Sequence, residues 1–456
     1  MVEHLKKEAD RYWSIDPNWS LKYADRIVAI GEARNDKSQV ALGLMARGDA
    51  LKLLGNLKRA WEMLEQSGNL FQAAGDEVGW ARTRIGRLFL GPDLNRVPET
   101  LADVEQARAI FHERGEQEKL MRLEINTAYI HTLLGNQRQA LSLYHSALAL
   151  AEALGGIGEP HLGMLHMNIG YVHESLGDFP QALVYYERAR SHYLARDETR
   201  NIINIEKNIA CIALAQGHYR SALNILNSAL ARGLEQFPRE NARVKHSLAE
   251  CYLNLNRYDE ARDLARQVLE GYHSFNDSYR SAGALLHLAT AEAELGNLAA
   301  AQSALDEAAS IFTSIGSFTW SMLARLWHGQ VAFKQGNYEL AAQEARAAAN
   351  CFEAEGQHVN YANACILIGQ VALACGDFAS AGRHGGHALR VAQHYNVPSL
   401  RYSAHLLLGR VAKATSLLVR AARSFRAAAA TIDRVQRGLT ITLRSGFLEN
   451  KGEAWR

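Results

Sequence analysis

The chain has 456 residues, with 50 Lys and Arg against 48 Asp and Glu and a formal net charge of +2, a balance that gives no general electrostatic pull toward nucleic acid. No apolar run approaches the length of about 18 residues that a membrane-spanning helix needs, and the opening MVEHLKKEADRYW has no apolar stretch for a secretory signal. Five cysteines (Cys211, Cys251, Cys351, Cys365 and Cys375) are an odd number scattered along the chain, which predicts reduced thiols in a cytoplasmic protein without a membrane partner.

In chain order, the first helical pattern, Pro17 to Arg34, reads as the second half of an incomplete opening repeat. Complete helix–turn–helix units begin near Gln39. Their turn glycines, Gly55, Gly135, Gly177, Gly217, Gly296, Gly336 and Gly376, fall on a grid of about 40 residues, and Asn256 and Ser416 fill two further nodes. Five residues after these nodes stand Ala60, Ala140, Ala182, Ala222, Ala261, Ala301, Ala341, Ala381 and Ala421. Seven residues before them stand only Gly48, Ala128, Gly170, Ala210, Ala249, Ala289, Gly329, Gly369 and Gly409. A fixed period of this length identifies a repeat array. Small residues at matched places predict two helices that cross closely, with no room for a large side chain. A second alanine twelve residues past the node recurs from Ala147 to Ala428, with Ser67 and Val268 as departures. In the unit around Gly177, Asp178 is placed to cap the second helix and Pro180 to fit its first turn.

The second repeat, near 86–117, is irregular. It carries the longer connection GPDLNRVPET, Gly91 to Thr100, and its second helix is expected to recover the register at Ala102 and Ala109.

This combination of glycine or alanine, turn glycine and two alanines resembles the tetratricopeptide repeat. The resemblance implies an all-α fold, a right-handed α-solenoid of about ten helix–turn–helix units spanning 1–437, with 438–456 as a tail. Spacing near 40, against about 34 for the basic repeat, resembles the kinesin-light-chain-like variety.

Nine residues before the node stand Asn126, Asn168 and Asn208, in three consecutive repeats and on first helices, which line the concave face in the tetratricopeptide fold. An amide is both donor and acceptor, and asparagine is a poor mid-helix residue. Two readings stay open. The row pairs with the main chain of an extended peptide, as the kinesin-light-chain-like resemblance implies, or it hydrogen-bonds between neighbouring repeats and braces the array. In the first reading Tyr129, Tyr171 and Cys211 flank the row, and Arg122, Lys207, Arg243 and His246 favour acidic side chains of the ligand. Later repeats lose the row to Ser247, His287, Trp327 and Leu367, which places the expected binding site in the third to sixth repeats.

No P-loop, metalloprotease, nucleophile-elbow or dinucleotide motif is present, so the chain is expected to be no enzyme and to need no cofactor. His384 and His387 lie one turn apart, with Cys375 and His394 nearby, but the spacing lacks a full ligand set and they read as packing histidines. His131 and His173 read as core-edge residues, and Trp320 and Trp327 as filling between repeats.

From Arg401 onward eleven Lys or Arg face only Asp433, Glu449 and Glu453. The bland reading is a solvated basic face; the sharper one is a docking surface for an acidic partner or a following domain. The tail residues Ile432, Arg434, Val435, Leu439, Leu443, Arg444, Phe447, Leu448 and Lys451 resemble the junction of bacterial CHAT proteins, in which tetratricopeptide repeats precede a caspase-like peptidase. That resemblance implies a recognition and regulatory half, with the peptidase beyond Arg456. A terminal repeat normally needs a solvated cap, and Phe447, Leu448 and Trp455 make this tail too apolar to serve. The expected partner is a protein or peptide in the concave groove. The alternative is a small-ligand-sensing helical-repeat domain of a bacterial transcription activator.

Overall fold

The computed structural model describes residues 1–13, 15–94, 96–232, 236–448, 451 and 453. Trp455, with Glu449 and Arg456, lies outside the described residues. Among the described residues the regular elements are all helices, and none is long and apolar enough to cross a membrane. The chain forms two compact units, one of residues 1–134 and 139–165, the other of residues 135–138 and 166–456.

Most repeats are a pair of 17-residue helices, for example Ser278–Glu294 with Leu298–Ser314. The chain reverses between them through a left-handed residue: Gly177 has φ +86°, and Asn256 and Ser416 hold φ +58° and +59° at the same register. The amide of Asp178 bonds the His173 carbonyl at 2.8 Å and that of Gly177 bonds the Glu174 carbonyl at 2.9 Å, which closes the helix end. Asp178 then accepts from the Gln181 amide, and Pro180 lies in the first turn of the new helix.

The small residues stand where the register puts them. A Cβ on Gly170 would lie 2.7 Å from the Tyr186 ring and 3.2 Å from the Ala182 carbonyl. All nine alanines five residues past the node are buried. Ser67, the polar departure, is buried with its hydroxyl donating to the Ala41 carbonyl at 2.7 Å.

In the second repeat the expected register is corrected. Ala102 and Ala109 are exposed, and the buried residues are Val97, Thr100, Val104, Ala107 and Phe111. Thr100 holds the alanine position in the unbroken 40-residue register, its hydroxyl satisfied by the Val97 carbonyl at 2.8 Å. Leu88 stands at the small-residue place before the turn, and the second helix is split into Val97–Ala102 and Val104–Glu113.

A second grid of left-handed residues separates the repeats: Asn35, Gly75, Gly115, Gly155, Asp197, Asn276, Gly316, Gly356 and Asn396. In the second unit, first helices of successive repeats also touch one another, as Thr199–Ala215 does Pro238–Asn254. They therefore form the inner layer of the arc, with the second helices outside.

That arc closes on itself. A Cβ on Gly177 would meet Val359 at 3.0 Å and Tyr395 at 3.2 Å, and one on Gly217 would meet Pro398 and Val435, both at 3.2 Å. Each turn is thus gripped by the repeat five places later. The tail continues the series. Asn256 Nδ2 donates to the Phe447 carbonyl at 3.1 Å, and the Phe447 ring packs on Tyr219 with centroids 5.8 Å apart. Phe447 is buried with Ile432, Val435 and Leu439 against the fifth and sixth repeats. The apolarity that made the tail look unfit to cover an end is what seats it.

Candidate functional site

The expected site residues divide between the units. In the first, the Asn126 side chain is buried and its Nδ2 donates to the Ile85 carbonyl at 3.3 Å, one repeat back, a bracing contact. Tyr129 packs near Phe89, and Arg122 pairs along its own helix with Glu118 at 2.8 Å.

In the second unit the inner wall is built by four successive first helices. Asn168 is half-buried and Asn208 buried. Tyr171 reaches across to share a hydrogen bond with Tyr279, three repeats on, so the arc is tight at this level. Arg243 is turned to Asn204 Oδ1 at 3.4 Å and to Glu240 at 3.8 Å, and Glu240 also takes Arg200 at 2.8 Å. His246 shares a hydrogen bond with the Tyr272 hydroxyl at 3.2 Å and packs edge-on against His287, centroids 4.6 Å apart. Burial first, then the neighbouring His287 and Lys207, hold His246 well below the ordinary histidine range. His287 is pushed down to about 4 by burial. Both rings are therefore neutral at pH 7, and of the four groups expected to favour acidic side chains Lys207 is the one cation of the inner wall left without an ion pair among the described residues.

Sequence reasoning missed what faces Lys207. Glu174, one repeat back, and Glu250, one repeat on, both act electrostatically on it. Burial pushes the Glu250 carboxyl up to about 7, helped by Glu174 and opposed by Lys207. Burial raises Glu174 too, against Lys207 and the hydrogen bond donated by the Tyr186 hydroxyl. Cys211 shares a contact with Ser247 at 3.2 Å and is pushed up to about 12 by burial, so it is an inert thiol. The wall thus presents two carboxyl groups and an ammonium in a half-desolvated place.

Other candidates resolve as packing. His387 lies edge-on against Tyr361, His173 stacks on Tyr185, and Trp320 and Trp327 pack between repeats. Among the described residues no group of three His, Cys, Asp or Glu side chains is placed to hold a metal ion. Further along the inner wall a shallow cleft open to solvent is lined by Thr290, Glu294, Trp327, Gln330 and Lys334.

Tetratricopeptide repeat models match residues 161–234 and 213–282. No curated protein matches the sequence. Among solved structures, a Rap protein complexed with Competence and Sporulation Factor is 13% identical, covers 79% of this chain and 99% of its own, and superposes with a TM-score of 0.53. The apo form of the quorum sensor NprR from B. thuringiensis is 14% identical, with coverages of 86% and 98% and a TM-score of 0.46. A signal-transduction ATPase with a tetratricopeptide repeat sensor from Pyrococcus horikoshii is 14% identical, with coverages of 85% and 54% and a TM-score of 0.41. At this identity the Rap likeness is one of fold, and the other two add nothing to it. Residues 161–282 are therefore tetratricopeptide repeats by sequence, and the chain has the all-helical fold of a tetratricopeptide-type solenoid.

Proposed function

We propose that the chain is a recognition scaffold that binds a peptide or partner protein on the inner wall of its second unit. The observation that carries this is Lys207 set between Glu174 and Glu250 on three successive first helices, with no ion pair to either. Charged groups taken partly out of water without pairing cost stability, and a ligand that supplies their partners recovers it. Asn168, Asn208 and Tyr171 lie on the same wall and serve as main-chain contacts, as in kinesin-light-chain-like repeats. Asn126, Tyr129 and Arg122 remain proposed contacts of the first unit, with the Asn126 brace weighing against a shared row. The Rap structure, of the same fold, holds a bound factor, which supports a binding role for such an array.

The test is selection of a displayed peptide library on the immobilised chain. The expected result is a consensus whose binding falls at least tenfold with Lys207→Ala or with Glu174→Gln plus Glu250→Gln, while helicity holds and melting does not fall. A consensus bound equally by all variants overturns the reading.

Within this function, the tail likeness supports a regulatory role for a CHAT-type peptidase in cis. Sequencing the gene past Arg456 tests it: a histidine and cysteine in a caspase-like context support it, and their absence overturns it.

A further inference from the structure

The turns of the second unit fall into two classes. Gly177, Gly217 and Asn256 are covered by residues five repeats later, as is Gly135, whose carbonyl accepts from Gln357 Nε2 at 3.3 Å. Around Gly296, Gly336 and Gly376 a Cβ would meet nothing within 4 Å. The side chain two residues past the node shows the consequence. Phe179 and Tyr219, under the covering repeats, are 5% and 4% exposed, whereas Tyr338 is 39% and Leu418 69% exposed, with Val419 beside it at 78%; Tyr258 of the first class and Leu298 and Phe378 of the second are half-buried. These are the same register positions on the same kind of edge, apolar in both classes except at Gln137.

The surface that fits this edge is also visible. Gly177 and Gly217 are gripped by the opposite, inter-repeat edge of the array, through Val359, Tyr395, Pro398 and Val435. Earlier in the unit that inter-repeat edge carries the same residue types in register. Pro238 stands at the position of Pro398 and is exposed, and Phe275, half-buried with the Arg239 guanidinium 5.2 Å over its ring, stands at the position of Tyr395.

We propose that the turn edge of Gly296, Gly336, Gly376 and Ser416 docks a second copy of this chain, which presents its inter-repeat edge at Pro238 and Phe275. The argument is continuity: the contact extends an interface that the chain already makes with itself. Two different surfaces meet, so the pairing is heterologous and head-to-tail. It is independent of the inner-wall binding proposed above.

Sedimentation velocity of the full chain, from about 1 µM to about 100 µM, covers the affinity expected of a transient contact. Wild-type chain is expected to rise in mass with concentration beyond one chain. Leu418→Asp with Tyr338→Asp, on one edge, and Pro238→Asp, on the other, are each expected to sediment as monomers at the top concentration. All three residues lie on the surface, so circular dichroism and melting stay at wild-type values. An equimolar mixture of the two variants keeps one intact edge of each kind and is expected to give dimers and nothing larger. Wild-type chain that stays monomeric throughout overturns the proposal, as do association indifferent to either set of substitutions and a mixture that remains monomeric.

Discussion

Arg87 Nη1 lies 2.9 Å from Asp103 Oδ2, and that oxygen also takes Arg84 Nη1 at 2.9 Å. Asp103 is the residue at which the second helix of the irregular repeat breaks. Both guanidiniums are buried, Arg87 over the Trp61 ring and Arg84 over Trp80. Removing the shared carboxylate leaves Arg84 without an ion pair and Arg87 with Glu65 alone, at 3.4 Å, and breaking such an arrangement costs about 3 kcal/mol. Asp103→Ala is therefore expected to lower the first unit's stability by that order, read as a shift in its urea midpoint at constant slope. An unchanged midpoint would mean that the arginines are solvated.

The covered and uncovered turns predict a contrast between two chemically identical substitutions. Gly177→Ala and Gly296→Ala both force alanine to positive φ, at about 1–2 kcal/mol. Only the first also drives a methyl to 3.0 Å from Val359, and overpacking adds about 1–3 kcal/mol. Gly177→Ala should therefore be the more damaging in chemical denaturation. Gly296→Asn should cost less than Gly296→Ala, since Asn256 already holds φ +58° at an equivalent node. Equal losses at both glycines would contradict the grip seen at Gly177.

Phe447 fixes the tail. Phe447→Ala leaves a cavity against Tyr219 and Leu255 and is expected to cost about 3–5 kcal/mol. Limited proteolysis should then cut after Arg437 or Arg444 sooner than in the wild type. Unaltered cleavage would show that the tail is held by other contacts.

Glu250 gives a signed pH dependence. Its carboxyl is raised from 4.5 to about 7 in the folded chain. The unfolded state releases its proton first, so the stability this group contributes is full below pH 4.5 and is lost as the pH rises through 7. His287, lowered from 6.5 to about 4, acts the other way, its share being full above 6.5 and lost as the pH falls. The difference in melting temperature between Glu250→Gln and wild type isolates the glutamate: it should grow in the variant's favour from pH 4.5 to 7. A difference flat across that range would place Glu250 in water.

The repeat fold was legible because its strongest constraints are steric and recur at fixed spacing: a left-handed turn residue, a small residue before it and alanine after it. The second repeat misled for the same reason. Thr100 fits the alanine place by bonding Val97, so a search for alanine settles on Ala102 and Ala109, which face solvent. The inter-repeat grid escaped because Asn35, Asp197, Asn276 and Asn396 take its left-handed places beside the glycines. Glu174, Lys207 and Glu250 lie three, ten and six residues before their nodes, so no shared register joins them; only curvature brings their side chains together.

The grip between repeats five apart changes how the second unit should come apart. A solenoid held by nearest neighbours frays from its ends, one repeat at a time. Here Gly177 and Gly217 are tied to Val359, Tyr395 and Pro398 across most of the unit's length, so a pull on one end loads contacts far along the chain. Under force the unit should yield in one large step rather than a ladder of small ones. Refolding should be slowed by the need to close that long loop first.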